Sequence, residues 1–210
     1  CLKLHEAGTQ KLSTGCDMID QFLKGGFVPG KLYEIYGESG SGKTQFSIQL
    51  LLQSLLATKD GGLDGLSLYL MTGKPLNERR FTELKDGFLA NNDGKISEQD
   101  VYSKIIFSHC SSLEEYNKVF LNLGQRVQSD RLRLIILDNI QAVANNFVRA
   151  DGQVDFIERS NFLLKHARAL KRLAYQYKIV VIVINNVSSE MGQQDNAAFF
   201  SDRHKGLQPA

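Results

Sequence analysis

The stretch Lys31-Leu-Tyr-Glu-Ile-Tyr36, running without a break into Gly37-Glu-Ser-Gly-Ser-Gly-Lys43-Thr44, decides how this chain is built. Its first part reads as a β-strand, and residues 45–57 after it read as a helix. Strand, loop Gly-x-x-x-x-Gly-Lys-Thr and helix in that order are the setting in which such a loop holds phosphate. Gly37, Gly40 and Gly42 let the backbone turn tightly and aim consecutive N–H groups inward, and the helix start adds the positive end of its dipole. A nucleoside triphosphate such as ATP is the guest this arrangement suits, with Glu38, Ser39 and Ser41 completing the loop. Lys43 would reach the β- and γ-phosphates, and the Thr44 hydroxyl would hold a Mg²⁺ between them.

Outward from the loop, apolar β-branched runs alternate with amphipathic segments, which predicts an α/β fold with a mostly parallel sheet flanked by helices. Strands are expected near residues 31–36, 67–72, 104–108, 133–138 and 179–185. Helices are expected at 17–23, 43–57, 76–89, 113–127 and 156–177. In the last of these Leu163, Leu164, Ala167, Leu170 and Ala174 form a stripe at helical spacing, expected against the sheet. The linkers, among them residues 91–94 before the third strand, carry ordinary turn residues and none separates domains. Residues 1–210 read as one domain. The strand Arg133-Leu-Ile-Ile-Leu-Asp138 ends in a carboxylate, and an Asp at a carboxyl strand end downstream of such a loop is a candidate second holder of Mg²⁺.

Composition adds exclusions. With 210 residues, 42% of them hydrophobic and 23% charged, the chain suits one ordinary α/β core. A net charge of +2 gives no broad electrostatic footprint for nucleic acid. No apolar run approaches the roughly 20 residues of a membrane helix. Cys1, Cys16 and Cys110 lack CxxC spacing, so they read as small buried thiols rather than a zinc site. Because the chain opens on Cys1 without a methionine, its start reads as a boundary inside a longer protein.

Leu12-Ser-Thr-Gly-Cys-Asp-Met-Ile-Asp20, Leu23-Lys-Gly-Gly26 and the loop through Gly42-Lys-Thr-Gln45 resemble the ATPase core of RecA, the archaeal RadA proteins and especially the eukaryotic recombinases. The resemblance continues through the Asp138 strand, the Glu158-Arg-Ser-Asn-Phe-Leu helix and residues 179–187. Gly61-Gly62-Leu63 and Glu158-Arg159 are similar to the recombinase paralogues, nearest the X-ray-repair-cross-complementing type and its fungal relatives. This resemblance implies a RecA-like P-loop ATPase core, with an N-terminal segment and C-terminal strands of the family lying outside the chain. It further implies a protein of the nucleus, with the cytoplasm as a second location, that binds ATP and assembles with another paralogue and with the main recombinase. Such a protein would help homologous recombination on single-stranded DNA. The alternative is a DNA-stimulated ATPase that forms its own filament and exchanges strands. A P-loop kinase or GTPase would need an acceptor lid or a guanine-specific motif, and neither is visible in the sequence.

Departures from the family bear on mechanism. Where the family carries a glutamate that activates the attacking water, this chain has Gly73, after Thr72. Glu78 stands further along and reads as a surface residue. Hydrolysis by this chain alone is therefore expected to be slow. Asn186 stands where the family commonly has a γ-phosphate-sensing Gln, and Arg80 where an arginine lies near the adenine. The two DNA-facing loops of the family map to residues 145–155 and 187–208. The first sets Arg149 against Asp151 and Asp155, and the second sets Arg203, His204 and Lys205 against Glu190, Asp195 and Asp202, so both are expected to bind single strands weakly. Phe147, Phe199 and Phe200 are candidate base-stacking side chains, with core packing as the competing reading.

Overall fold

The computed structural model describes residues 10–148, 152, 153 and 155–186. Leu12 forms an antiparallel bridge with Phe27, and the short helix α1 (Asp17–Phe22) lies between them. The Asp20 carboxylate ties this hairpin together by accepting from Ser13 Oγ at 2.6 Å, Thr14 N at 2.8 Å and Thr14 Oγ1 at 2.9 Å. Then follow β1 (Leu32–Gly37), α2 (Lys43–Ser54), β2 (Leu66–Met71), α3 (Glu78–Asn91), α4 (Glu98–Lys104) and β3 (Ile105–His109). The order continues with α5 (Leu113–Ser129), β4 (Leu132–Asp138), α6 (Ile140–Ala144), α7 (Phe156–Tyr177) and β5 (Val180–Asn186).

The five strands form one parallel sheet in the order β1-β5-β4-β2-β3. Consecutive residues of the inner strands are buried toward opposite faces, which is why these strands read as continuous apolar runs. Leu134 and Ile136 pack toward α2 and α3, against Ile48, Leu52 and Phe81. Ile135 and Leu137 pack toward α5 and α7, against Leu123, Phe162 and Leu170. No helix among the described residues is long and apolar enough to cross a membrane.

The expected strands all form, each shifted by a residue or so. Two α-helices among the described residues were not anticipated. Residues 91–94 do not lead directly into β3, because α4 intervenes, opened by a capping box in which Ser97 and Asp100 exchange side-chain-to-backbone hydrogen bonds. Helix α6 follows Asn139, whose backbone is left-handed at φ 106°. The stripe read for α7 is also corrected: Leu164 and Ala167 are exposed, and the buried residues are Phe162, His166, Leu170 and Ala174. An aromatic cluster pulls the helix round, with the His166 ring centred 4.4 Å from Phe120 and 5.4 Å from Tyr116, both on α5. Cys110 is buried as expected, whereas Cys16 is exposed.

Candidate functional site

In an open parallel sheet, ligands sit where the carboxyl ends of the strands face outward. Here a cleft of about 540 Å³ opens there, lined among others by Gly40, Lys43, Thr44, Tyr69, Asp138 and Asn186. Gly40 and Gly42 are left-handed at φ 83° and 89°, and no atom lies within 4 Å of where a Cβ would be, so backbone conformation rather than crowding demands glycine at both. Gly42 precedes α2 without a side-chain cap, which leaves the first-turn N–H groups of that helix available to an anion.

Lys43 lies folded back over the loop, its Nζ donating to the carbonyls of Gly37 at 2.8 Å and Glu38 at 2.6 Å. Ser39 lines the cleft, while the side chains of Glu38 and Ser41 face solvent around it. Thr44 and Asp138 come from distant parts of the chain and meet, Thr44 Oγ1 donating to Asp138 Oδ2 at 3.4 Å. Two hard oxygen donors beside a phosphate loop are a set that suits Mg²⁺. Glycine geometry, uncapped helix start, lysine and oxygen pair together fit a Mg²⁺–triphosphate.

Tyr69 was not singled out from the sequence. It is wholly buried in β2, and its hydroxyl donates to Asp138 Oδ2 at 2.5 Å. Burial first, and the neighbouring Asp138 charge second, push its phenol well above the usual tyrosine range. A tyrosine inside an otherwise apolar strand needs a partner for its hydroxyl, and that need was the available signal. Asn139 also lines the cleft, and its carbonyl accepts from Thr72 Oγ1 while Thr72 N donates to Asp138 O at 2.8 Å. The loops after β2 and β4 are thereby joined beside the phosphate loop.

Gly73 lines the cleft, its carbonyl 2.9 Å from the His109 ring, and a Cβ there would meet nothing nearer than Ala142 Cβ at 3.9 Å. Glu78 is exposed at the start of α3 and faces a separate groove with Phe81 and Phe107. Asn186 ends β5 in register with Gly37, which brings it to the loop. Arg80 is outside the cleft lining. Its guanidinium is held by Gln45 at 3.0 Å and Glu83 at 2.9 Å, and lowers the Glu83 carboxyl below its usual range, with Arg79 helping. Phe147 packs on Phe162 with ring centres 5.1 Å apart, so it serves the core. Arg149, Asp151, Phe199, Phe200 and the 187–208 loop lie outside the described residues.

The sequence model of the family named Rad51 matches residues 7–208. The chain is 31% identical over 183 residues to human "DNA repair protein RAD51 homolog 2", covering 86% of this chain and 47% of that protein. It is 30% identical over 193 residues to the Arabidopsis thaliana "DNA repair protein XRCC3 homolog", covering 89% and 63%. It is 31% identical over 203 residues to Schizosaccharomyces pombe "DNA repair protein rhp57", covering 89% and 56%. The chain thus spans about half the length of these curated relatives.

Proposed function

The chain belongs to the Rad51 family of RecA-like recombinases, with relatives of the paralogue type, and from that premise we propose that it is an ATP-binding recombinase paralogue of homologous recombination and DNA repair. ATP serves it chiefly as an assembly ligand. The observation that carries this reading is the pairing of a full phosphate and metal donor set with Gly73 where a water-activating carboxylate would stand. Thr44 and Asp138 would hold Mg²⁺, whose positive charge neutralises adjacent phosphate oxygens.

The chain's own residues then act in a definite way. Lys43 exchanges its contacts with the Gly37 and Glu38 carbonyls for phosphate oxygens, which releases the loop from its closed hydrogen bonding. Tyr69 keeps the Asp138 carboxylate aimed into the cleft. Asn186, in register with Gly37, reports occupancy of the loop to the segment that follows β5. No side chain at position 73 accepts a proton from water, so hydrolysis is slow and the occupied state is long-lived. A ligand can shift assembly only through different affinities for the free and assembled states, and a loop that rearranges around it supplies such a difference. The partners are another recombinase paralogue and the main recombinase in the nucleus, with single-stranded DNA bound weakly or within the complex.

The test is to incubate the full-length protein with Mg²⁺ and ATP, remove free nucleotide by gel filtration, and identify what stays bound with and without single-stranded DNA. Retained intact ATP supports the proposal, whereas ADP that accumulates faster with DNA supports a DNA-stimulated ATPase instead. Lys43→Ala deletes charge-assisted hydrogen bonds of about 1.5–3 kcal/mol, so triphosphate affinity should fall roughly 10- to 150-fold. Partner association should fall with it. Association that persists in Lys43→Ala with no nucleotide detectable would sink the assembly-ligand role.

A further inference from the structure

The opposite end of the sheet holds a second cleft, about 280 Å³, that the nucleotide chemistry does not use. Arg131, Arg133 and Lys178 line it together with Gln10, Asp64 and Leu63. Arg131 stands directly before β4 and Lys178 two residues before β5, whereas Thr44 and Asn186 belong to the other end. A seven-residue strand separates the two ends by roughly 20 Å.

Three features show that the cations are placed rather than scattered. Arg131, Lys178 and Asp64 are non-glycine residues in the left-handed region, at φ 54°, 52° and 47°, so the chain turns sharply at each and projects the side chain off the sheet end. Gly65 is buried with an ordinary φ, so freedom of backbone is not what it supplies. A Cβ there would fall 2.2 Å from Arg133 Cγ and 3.1 Å from the Arg131 carbonyl, so its missing side chain is the space through which the Arg133 stem passes. Lys178 is exposed and lies over the Tyr175 ring, its Nζ 4.2 Å from the centroid. Among the described residues, no ion pair within 4.0 Å engages any of the three. One carboxylate, Asp64, faces three cations there.

We propose that Arg131, Arg133 and Lys178 form a second anion site that takes phosphodiester groups of a nucleic-acid strand at the amino end of the sheet. Guanidinium forks match phosphate oxygens two at a time, and cations projecting beside an open cleft suit a backbone that runs past it. The choice of nucleic acid among phosphate carriers rests on the recombination reading above. The site itself is independent of the phosphate loop.

The experiment measures binding of a fluorescent single-stranded oligonucleotide to the full-length, nucleotide-free protein by anisotropy across a salt series. The combined variant Arg131→Asn, Arg133→Gln, Lys178→Asn removes the charges while keeping residues that tolerate the left-handed backbone. Three lost phosphate contacts should reduce the salt slope by about 2, so between about 50 and 200 mM salt the wild type loses roughly 20-fold more affinity than the variant. Asp64→Asn removes the one opposing charge and should tighten binding, an effect that misfolding would not mimic. Lys43→Ala should abolish nucleotide retention yet leave the slope intact, which separates failure of this site from failure of the nucleotide reading. An unchanged slope in the combined variant, or no tightening in Asp64→Asn, overturns the proposal. So does a result in which inorganic phosphate stabilises wild type but not the variant while DNA binding is the same in both.

Discussion

Replacing Tyr69 by phenylalanine keeps the ring that fills the core and deletes one hydroxyl, which donates to Asp138 Oδ2 at 2.5 Å. A hydrogen bond to a charged group contributes about 1.5–3 kcal/mol. Because Asp138 is half-buried at the cleft and water can take the vacated position, the lower end applies, about 1.5 kcal/mol. For a domain of this size that lowers Tm by roughly 3–6 °C near neutral pH. Alkaline pH supplies a sharper arm. Burial and the Asp138 charge raise the folded-state phenol above its ordinary 10.0, so above pH 10 the unfolded chain releases this proton while the folded chain retains it. The wild type therefore loses stability as pH rises through 10, by about 1.4 kcal/mol from this group between pH 8 and pH 11, and the variant is spared that loss. Denaturant unfolding at pH 8 and pH 11 should show the deficit of Tyr69→Phe closing to near zero at the higher pH. A deficit of equal size at both pH values, or none at pH 8, would refute the coupling between Tyr69 and Asp138.

Gly73→Glu restores a carboxylate at the mouth of the cleft, where the nearest atom to its Cβ is 3.9 Å away, so it should fold normally and raise steady-state ATP turnover, read by phosphate release. An unaltered rate would place the limit on hydrolysis elsewhere, with Asn186 the next residue to change. Gly62→Ala should be poorly tolerated, because its Cβ would lie 2.0 Å from the Leu56 carbonyl oxygen and 2.5 Å from the carbonyl carbon, and backbone cannot swing aside as a side chain can. A cost of about 1–3 kcal/mol, or a Tm lower by roughly 2–12 °C, is the expected result in thermal unfolding.

Much of the architecture was legible because of where the strands lie. Strands buried on both faces must be apolar throughout, so β2, β4 and β5 stand out in the sequence, and the phosphate loop follows from spacing alone. Asp138 was legible as the polar end of such a run. Helix α4 has its sequence signal in Ser97 and Asp100, a capping pair set among ordinary turn residues. The facing of α7 was not legible, since Phe120 and Tyr116, which draw His166 and Phe162 inward, lie on a helix far away in sequence. Tyr69 was not legible because its hydroxyl partner, Asp138, lies 69 positions away in sequence. The basic cleft depends on strand order: Arg133 and Lys178 are distant in sequence and become neighbours only because β4 and β5 pair. A net charge of +2 hid that concentration altogether.

Strand β1, which feeds directly into the phosphate loop, has β5 as its sheet neighbour among the described strands, and the Glu34–Asn185 contact between them spans 151 positions. During synthesis at about 5–20 residues per second, β1 therefore waits roughly 8–30 s after leaving the ribosome before its partner is made. Its hydrogen-bonding edges are unpaired for that interval, which is when a nascent chain is most prone to pair with the wrong neighbour. A ribosome-bound chain ending before Val180 should thus be a chaperone client that retains no nucleotide, and competence to bind ATP should arrive abruptly, with β5.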